Sequence, residues 1–255
     1  LDAARGELPQ YSLIEPRFFS VKGLPSNDEH PKEHCIYQGE LLYKSIYDNL
    51  RASPQWNTSA LLITYDEHGG LYDHVPSPTG VPPPSPGLNC SRKGGDPYYD
   101  YTRLGIRVPA FLISPWVKKG HIEHYPNTGK TTPPPGAPQY THSTQLATCR
   151  DVFGIPGNLT TRVSWAASLA PLFTEKEART DAPMTMPQPP KGTPEQISKM
   201  DNEWKQPINH LQEDLMRQMA ALNGRLLSEE TQLPETEAEG SEYALGHYEA
   251  FRKSL

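Results

Sequence analysis

The block Thr64-Tyr65-Asp66-Glu67-His68-Gly69-Gly70 sets two carboxylates and an imidazole side by side, directly before a pair of glycines. Adjacent Asp66 and Glu67 repel each other unless a cation lies between or beside them. A hard divalent ion takes carboxylate oxygen readily, and a softer one also accepts imidazole nitrogen. Gly69 and Gly70 free the backbone for a sharp turn and for close approach of a ligand. A metal held there can bind phosphoryl oxygen as a Lewis acid and help to generate a nucleophile. A second cluster, Asn27-Asp28-Glu29-His30-Pro31, offers His30 as a donor to phosphate or as the acid that protonates a leaving oxygen. On spacing alone an ordinary turn after a strand explains Asp66 to Gly70 as well, and both readings stay open.

Seven of the nine histidines lie between residues 30 and 142. Asp73 and His74 follow the block closely and are candidates to orient a ligand or bind phosphate, or simply a surface turn. His142 stands before a helix as Thr141-His142-Ser143, where capping by Thr141 or Ser143 is the simpler account. His34 reads as a helix-start residue, and His121 and His124 as solvated.

The elements that must position these groups follow from periodicity. Residues 60–65 are a continuous apolar run, as in a central strand covered on both faces, and they feed straight into Asp66. Residues 11–15 read as a short strand closed by Pro16, and 106–114 as a second buried strand. Leu42, Ile46 and Leu50 mark a helix over 36–52, and residues 143–153 another, stopped by Gly154 and Pro156. Loops are expected at 21–32, 75–100 and 120–138. Strands alternating with helices predict an α/β layered fold. In open α/β sheets ligands bind at the carboxyl ends of strands, so the His30 and Asp66 clusters can face one crevice. The division expected is a main domain over 1–182, a Pro-rich linker over 183–206 and a helical extension over 207–255. Ile208, Leu211, Leu215, Met219 and Leu222 form an amphipathic stripe for core packing, ending at Asn223-Gly224. Residues 229–240 read as an acidic, mobile connector, and 242–254 as a last helix.

The 255 residues carry 28 prolines and a net charge of −6. Residues 191–255 hold 7 Lys and Arg against 12 Asp and Glu, so the acidic excess sits at the C-terminal end. No basic stripe is present, which argues against nucleic acid as a partner. The 3 cysteines, Cys35, Cys90 and Cys149, are far apart and read as free thiols. No run of 18 apolar residues occurs, so any membrane contact is expected to be peripheral. The chain opens on Leu1 rather than methionine, as a processed chain or a fragment does.

Taken in order, several segments resemble the phosphoesterase family that holds plant non-specific phospholipase C, bacterial phosphatidylcholine-hydrolysing phospholipases C and a bacterial acid phosphatase. They are Pro25-Ser-Asn-Asp-Glu-His-Pro31, Ser53-Pro-Gln-Trp-Asn57, Leu62 through the Asp66 block to Asp73-His74-Val75-Pro76, Arg103-Leu-Gly-Ile-Arg-Val-Pro109, Ser114-Pro-Trp-Val117 and Thr160-Thr-Arg-Val-Ser-Trp-Ala166. The resemblance implies an alkaline-phosphatase-like α/β/α sandwich, of which 1–182 would be the C-terminal half. It implies hydrolysis of the phosphodiester of a phospholipid, giving diacylglycerol and a phosphorylated headgroup. Carried over, Asp66 and Glu67 match the family's acidic ligands for a divalent metal ion. His30 matches its phosphate-site histidine, with Glu29 beside it in the same motif. His68 belongs to the metal block, and His142 matches a histidine before a late helix.

The family's Glu-Asn-Arg-Ser-Phe-Asp-His motif and its Thr-containing nucleophile motif have no counterpart here. The resemblance thus implies a fragment or a truncated relative. Alternatives to phospholipid hydrolysis are a phosphomonoesterase like the acid phosphatase and an inactive module that binds lipid or protein. The expected outcome for the purified 255-residue chain is little or no turnover of phosphatidylcholine. Turnover at the rate of a full-length enzyme contradicts it.

Overall fold

The computed structural model describes residues 2–21, 24–31, 36–88, 90–91, 97–126, 133–202, 205–228 and 231–254. They form helices α1 (Asp2–Arg5), α2 (Ile36–Arg51), α3 (Ser143–Phe153), α4 (Thr161–Trp165), α5 (Pro194–Asp201), α6 (His210–Leu222) and α7 (Glu237–Ser254). The strands are β1 (Leu61–Thr64), β2 (Cys90–Ser91), β3 (Pro97–Tyr99) and β4 (Ala110–Ile113). The chain is therefore a mixture of helices and small sheet. His34 and Cys35 lie outside the described residues, as do 92–96 and 127–132 of the expected loops and 229–230 of the expected connector. Among the described residues, no helix is long and apolar enough to cross a membrane. Two compact units divide the chain, 1–54 with 183–255, and 55–182.

In the first unit part of the expected 208–222 stripe forms core: Ile208 and Leu215 pack on a cluster centred on Met216, which the stripe did not include, while Leu222 is exposed. Met216 is fully buried and packs with Phe19 and Ala244, flanked by Phe18, Ile208, Leu215 and Tyr243. Capping boxes set the start of two helices. Asn209 accepts from the Gln212 N–H while the Gln212 side chain accepts from the Asn209 N–H, opening α6. Thr236 and Glu239 exchange the equivalent pair of bonds at α7. Gly240 is required by packing, because a Cβ there would stand 3.1 Å from Ile208 and 3.2 Å from Phe19.

Residues 235–237 pair with 206–208 through Ile208 N–H to Glu235 O and Glu237 N–H to Gln206 O, and α7 begins five residues before the expected 242. The expectation of a mobile acidic connector fails over this stretch. The reason is that Glu237 is buried and satisfied: it accepts from the Ser20 N–H and from the Gln212 side-chain amide, which also donates to Phe18 O at 2.7 Å. A buried carboxylate is tolerated when donors surround it. The expected strand at 11–15 does not form either. Tyr11, Leu13 and Ile14 stay exposed, and no neighbouring strand among the described residues offers these backbone groups a ladder.

In the second unit β1 pairs antiparallel with β4, Leu61 opposite Ile113 and Thr64 opposite Ala110. Both strands were expected from their apolar runs, but β1 has one partner among the described residues and both strands are half-buried or exposed along their length. Ser114 Oγ donates to Ser59 O and Trp116 Nε1 to Asn57 O, locking the far end of the pair. Ala147 of α3 packs with Val163 and Ala166, joining α3 to α4. Residues 75–100 are less irregular than expected. Val81 N–H donates to Thr102 O and Leu104 N–H to Pro78 O, making a long hairpin tipped by β2 and β3. Burial pushes the Cys149 thiol up from its ordinary pKa, consistent with a free, unreactive thiol.

Met216→Ala is expected to lose about 3 kcal/mol of stability through a buried cavity. Gln212→Ala is expected to lose about 2 kcal/mol by removing one of the donors to the buried Glu237 carboxylate. Urea unfolding of the two variants beside the parent measures both.

Candidate functional site

Asp66 and Glu67 leave the end of β1 on a tightly bonded turn. Asp66 Oδ1 accepts from the Glu67 N–H at 3.0 Å, and Glu67 Oε2 accepts from the Gly69 N–H at 2.7 Å. Leu71 N–H donates to His68 O at 3.1 Å, closing a four-residue turn. Its two central residues, Gly69 and Gly70, both have positive φ, 66° and 70°. Only glycine takes that pair of conformations at no steric cost, which is the physical reason for Gly-Gly here. His68 Nδ1 lies 3.0 Å from Leu71 O. A carbonyl only accepts, so Nδ1 is the donor in this contact. Both carboxylates are exposed.

Around this turn the structure gathers three more sequence candidates. Asp73 is held by a two-pronged bond from Arg107, Nε to Oδ2 at 2.7 Å and Nη2 to Oδ1 at 2.8 Å, and it also accepts from the Val75 N–H. The guanidinium and that N–H hold the Asp73 carboxyl well below the usual carboxylate range, and the pair pushes Arg107 up. His74 is exposed, with Nδ1 3.5 Å from Asp73 Oδ1. His142 donates from Nε2 to Tyr65 O at 2.7 Å. Capping at the start of α3 falls to its neighbours: Thr141 Oγ1 accepts from the Ser143 N–H and Thr144 Oγ1 from the Thr141 N–H. Arg107 was missed by sequence reasoning. It stands in the Arg103–Pro109 segment of the family resemblance, but its partner lies 34 positions away and no spacing links the two.

The hairpin over 78–104 is fixed from α4. Arg162 Nε donates to Pro82 O at 2.6 Å and Nη2 to Tyr101 O at 2.5 Å, and Thr161 N–H donates to Pro84 O. Burial lowers the Arg162 pKa from its ordinary value. Tyr101 sits at φ 62°, a left-handed conformation that costs a non-glycine residue about 1–2 kcal/mol. The guanidinium bond to its carbonyl helps to hold it there.

In the first unit, Asn27, Asp28, Glu29 and His30 form a buried to half-buried turn. Arg17 braces it, with Nη2 on Pro25 O at 2.9 Å and its N–H on Asn27 Oδ1 at 2.6 Å. His30 N–H donates to Asp28 Oδ2 at 3.1 Å. The Glu29 side chain lies against Gly39 of α2, where any Cβ would overlap its carboxyl group. The His30 ring meets the His210 ring edge-on at 5.3 Å. His210 opens α6, and no spacing rule in the sequence links it to His30. Thus His30 and Glu29 belong to one unit, while Asp66, Glu67, His68, Asp73, His74 and His142 belong to the other.

Asp66 and Glu67 fit a hard divalent cation in kind. Each offers a second carboxylate oxygen, Oδ2 and Oε1, beyond the one spent on a backbone N–H. They fall short of a closed site in number. Among the described residues no three His, Cys, Asp or Glu side chains gather in a group able to hold a metal ion.

Residues 1–156 match the model of the phosphoesterase family. The chain is 41% identical to non-specific phospholipase C3 of Arabidopsis thaliana over 86% of its own length and 40% of that relative. It is 44% identical to non-specific phospholipase C1 of the same plant, over 74% of the chain and 34% of the relative. It is 34% identical to the non-hemolytic phospholipase C of Burkholderia pseudomallei over 48% of the chain and 17% of the relative. The chain therefore spans well under half the length of these relatives.

Arg162→Met is expected to free the hairpin while leaving β1 and β4 paired. Limited proteolysis between residues 82 and 101 should quicken by roughly tenfold, because opening of that segment becomes local and frequent.

Proposed function

From the chain's membership of the phosphoesterase family, to which it belongs, we propose that it forms part of a phosphoric diester hydrolase of the phospholipase C type. In this reading the fold is the C-terminal half of an alkaline-phosphatase-like α/β/α sandwich. The substrate is a phospholipid met at a membrane surface by peripheral contact, and the products are diacylglycerol and a phosphorylated headgroup. The names of the plant and bacterial relatives support the substrate class.

The observation that carries the reading is the Asp66–Glu67 turn. It ends a strand with two exposed carboxylates, each with an oxygen left for a ligand. Asp66 and Glu67 would hold a divalent metal ion. When bound, that ion supplies Lewis-acid stabilisation of charge on the phosphoryl oxygens. By the family resemblance His30, whose N–H donates to Asp28 Oδ2, is the group that would donate to a phosphate oxygen or to the leaving oxygen of diacylglycerol. An alkoxide leaving group needs that proton, and an imidazole N–H can supply it.

The test uses the chain joined to the N-terminal part of a plant relative. The expected outcome is release of phosphocholine from phosphatidylcholine vesicles faster than phosphate from a simple phosphomonoester. Asp66→Asn and Glu67→Gln should each lower turnover at least a hundredfold, about 3 kcal/mol of transition-state stabilisation. Preference for the phosphomonoester would favour an acid-phosphatase-like activity, and vesicle binding without turnover would favour a binding module.

A further inference from the structure

The Asp66–Glu67 turn is closed from within by bonds from the Glu67, Gly69 and Leu71 N–H groups. Its apex is Gly69-Gly70, and its two charged side chains repel each other in solvent. Side chains from outside reach it on each flank. On the near side, the His142 ring donates to the carbonyl of Tyr65, the residue directly before Asp66. On the far side, Arg107 grips Asp73 with two parallel bonds.

We propose that Arg107 and His142 are positioning residues, which with Asp73 and the Tyr65 carbonyl form a clamp that sets where the Asp66 and Glu67 carboxylates point. The proposal rests on the metal reading of Asp66 and Glu67 for its function, though not for its geometry.

Three features carry it. Arg107 lies three residues before Ala110, which pairs with Thr64 at the end of β1. The far jaw is thus referenced to the strand that launches the turn, and Thr64 Oγ1 to Pro109 O at 3.3 Å ties the two again. The guanidinium engages both oxygens of Asp73, a planar fork that fixes orientation as well as distance. That leaves Asp73 neither oxygen lacking a bond, so it serves the turn through Arg107 and not as a ligand. His142 spends its Nε2 proton on a carbonyl, which makes its ring a strut. Groups that orient metal ligands without touching the ion typically change affinity by about 10- to 100-fold when removed.

The experiment has two arms on the 255-residue chain. In the first, amide hydrogen exchange is measured on the metal-free chain over 66–75, for the parent, Arg107→Ala, His142→Ala and the charge swap Asp73→Arg with Arg107→Asp. Exchange over 66–75 should rise roughly tenfold in each single variant, stay unchanged in α6 and α7, and return towards the parent rate in the swap. Unchanged exchange at 66–75, or a rise spread over all of 55–182, overturns the clamp. The second arm is calorimetric titration with Mn²⁺. Arg107→Ala should weaken binding about tenfold with recovery in the swap, and Asp66→Asn should abolish it. Mn²⁺ affinity that ignores Arg107→Ala overturns the positioning role. A parent that binds no Mn²⁺ while the exchange pattern holds supports the clamp and overturns the metal reading instead.

Discussion

Proline sets the main constraint on this chain. Twenty-eight prolines break the regular ladders that would satisfy neighbouring carbonyls, and each removes a backbone donor. The structure meets this with donors from elsewhere. Arg17 serves Pro25 O, Tyr47 serves Pro183 O, Arg162 serves Pro82 O, Thr64 serves Pro109 O, and backbone N–H groups of Leu104, Thr161 and Arg179 serve Pro78, Pro84 and Pro115. Most of these bonds span dozens of residues. They turn what reads as loop into fixed structure, and the chemistry-bearing segments are among the segments so fixed.

The β1–β4 pair is the second constraint, and it acts on the candidate site. Because Thr64 faces Ala110, residues 65–109 leave and return at one place. The Asp66–Glu67 turn, Asp73 and Arg107 all lie on that excursion. The antiparallel register brings its two ends together, so a bond between Asp73 and Arg107 needs no contribution from distant elements. His142 enters from α3, whose packing on α4 also anchors the hairpin through Arg162. A single neighbourhood thus orders the turn and the hairpin that follows it.

Guanidinium groups recur as the fixing device, in Arg17, Arg107 and Arg162. Each binds two acceptors or one acceptor twice, which suits loops that bury few apolar side chains. Packing does the corresponding work where apolar residues are plentiful, around Met216 in the first unit. There the buried Glu237 adds a polar tie between α7, α6 and residues 18–20.

Much was legible in the sequence by itself. Helices α2, α3 and α6 and strands β1 and β4 follow from local pattern, because apolar residues there recur with the geometry of each element, although their burial does not. The Gly69-Gly70 turn and the pair of acidic residues before it are equally local. The strand expected at 11–15 failed because a strand needs a partner that its own residues cannot specify. The early start of α7 was hidden because Glu237 looks like a solvated acid until Gln212 and Ser20 are seen around it. His210 carries no signal in the residues next to it, and Arg107 and Arg162 lie in segments that carry the family resemblance but show nothing there of the partners they bind. The sequence alone determined which chemical groups are present and which short segments hold them. The tertiary structure decided which of those groups are already engaged, Asp73 by Arg107 and His142 by Tyr65, and which keep open oxygens, Asp66 and Glu67. Engagement is a matter of pairing across long stretches of chain, and spacing along the chain does not encode it.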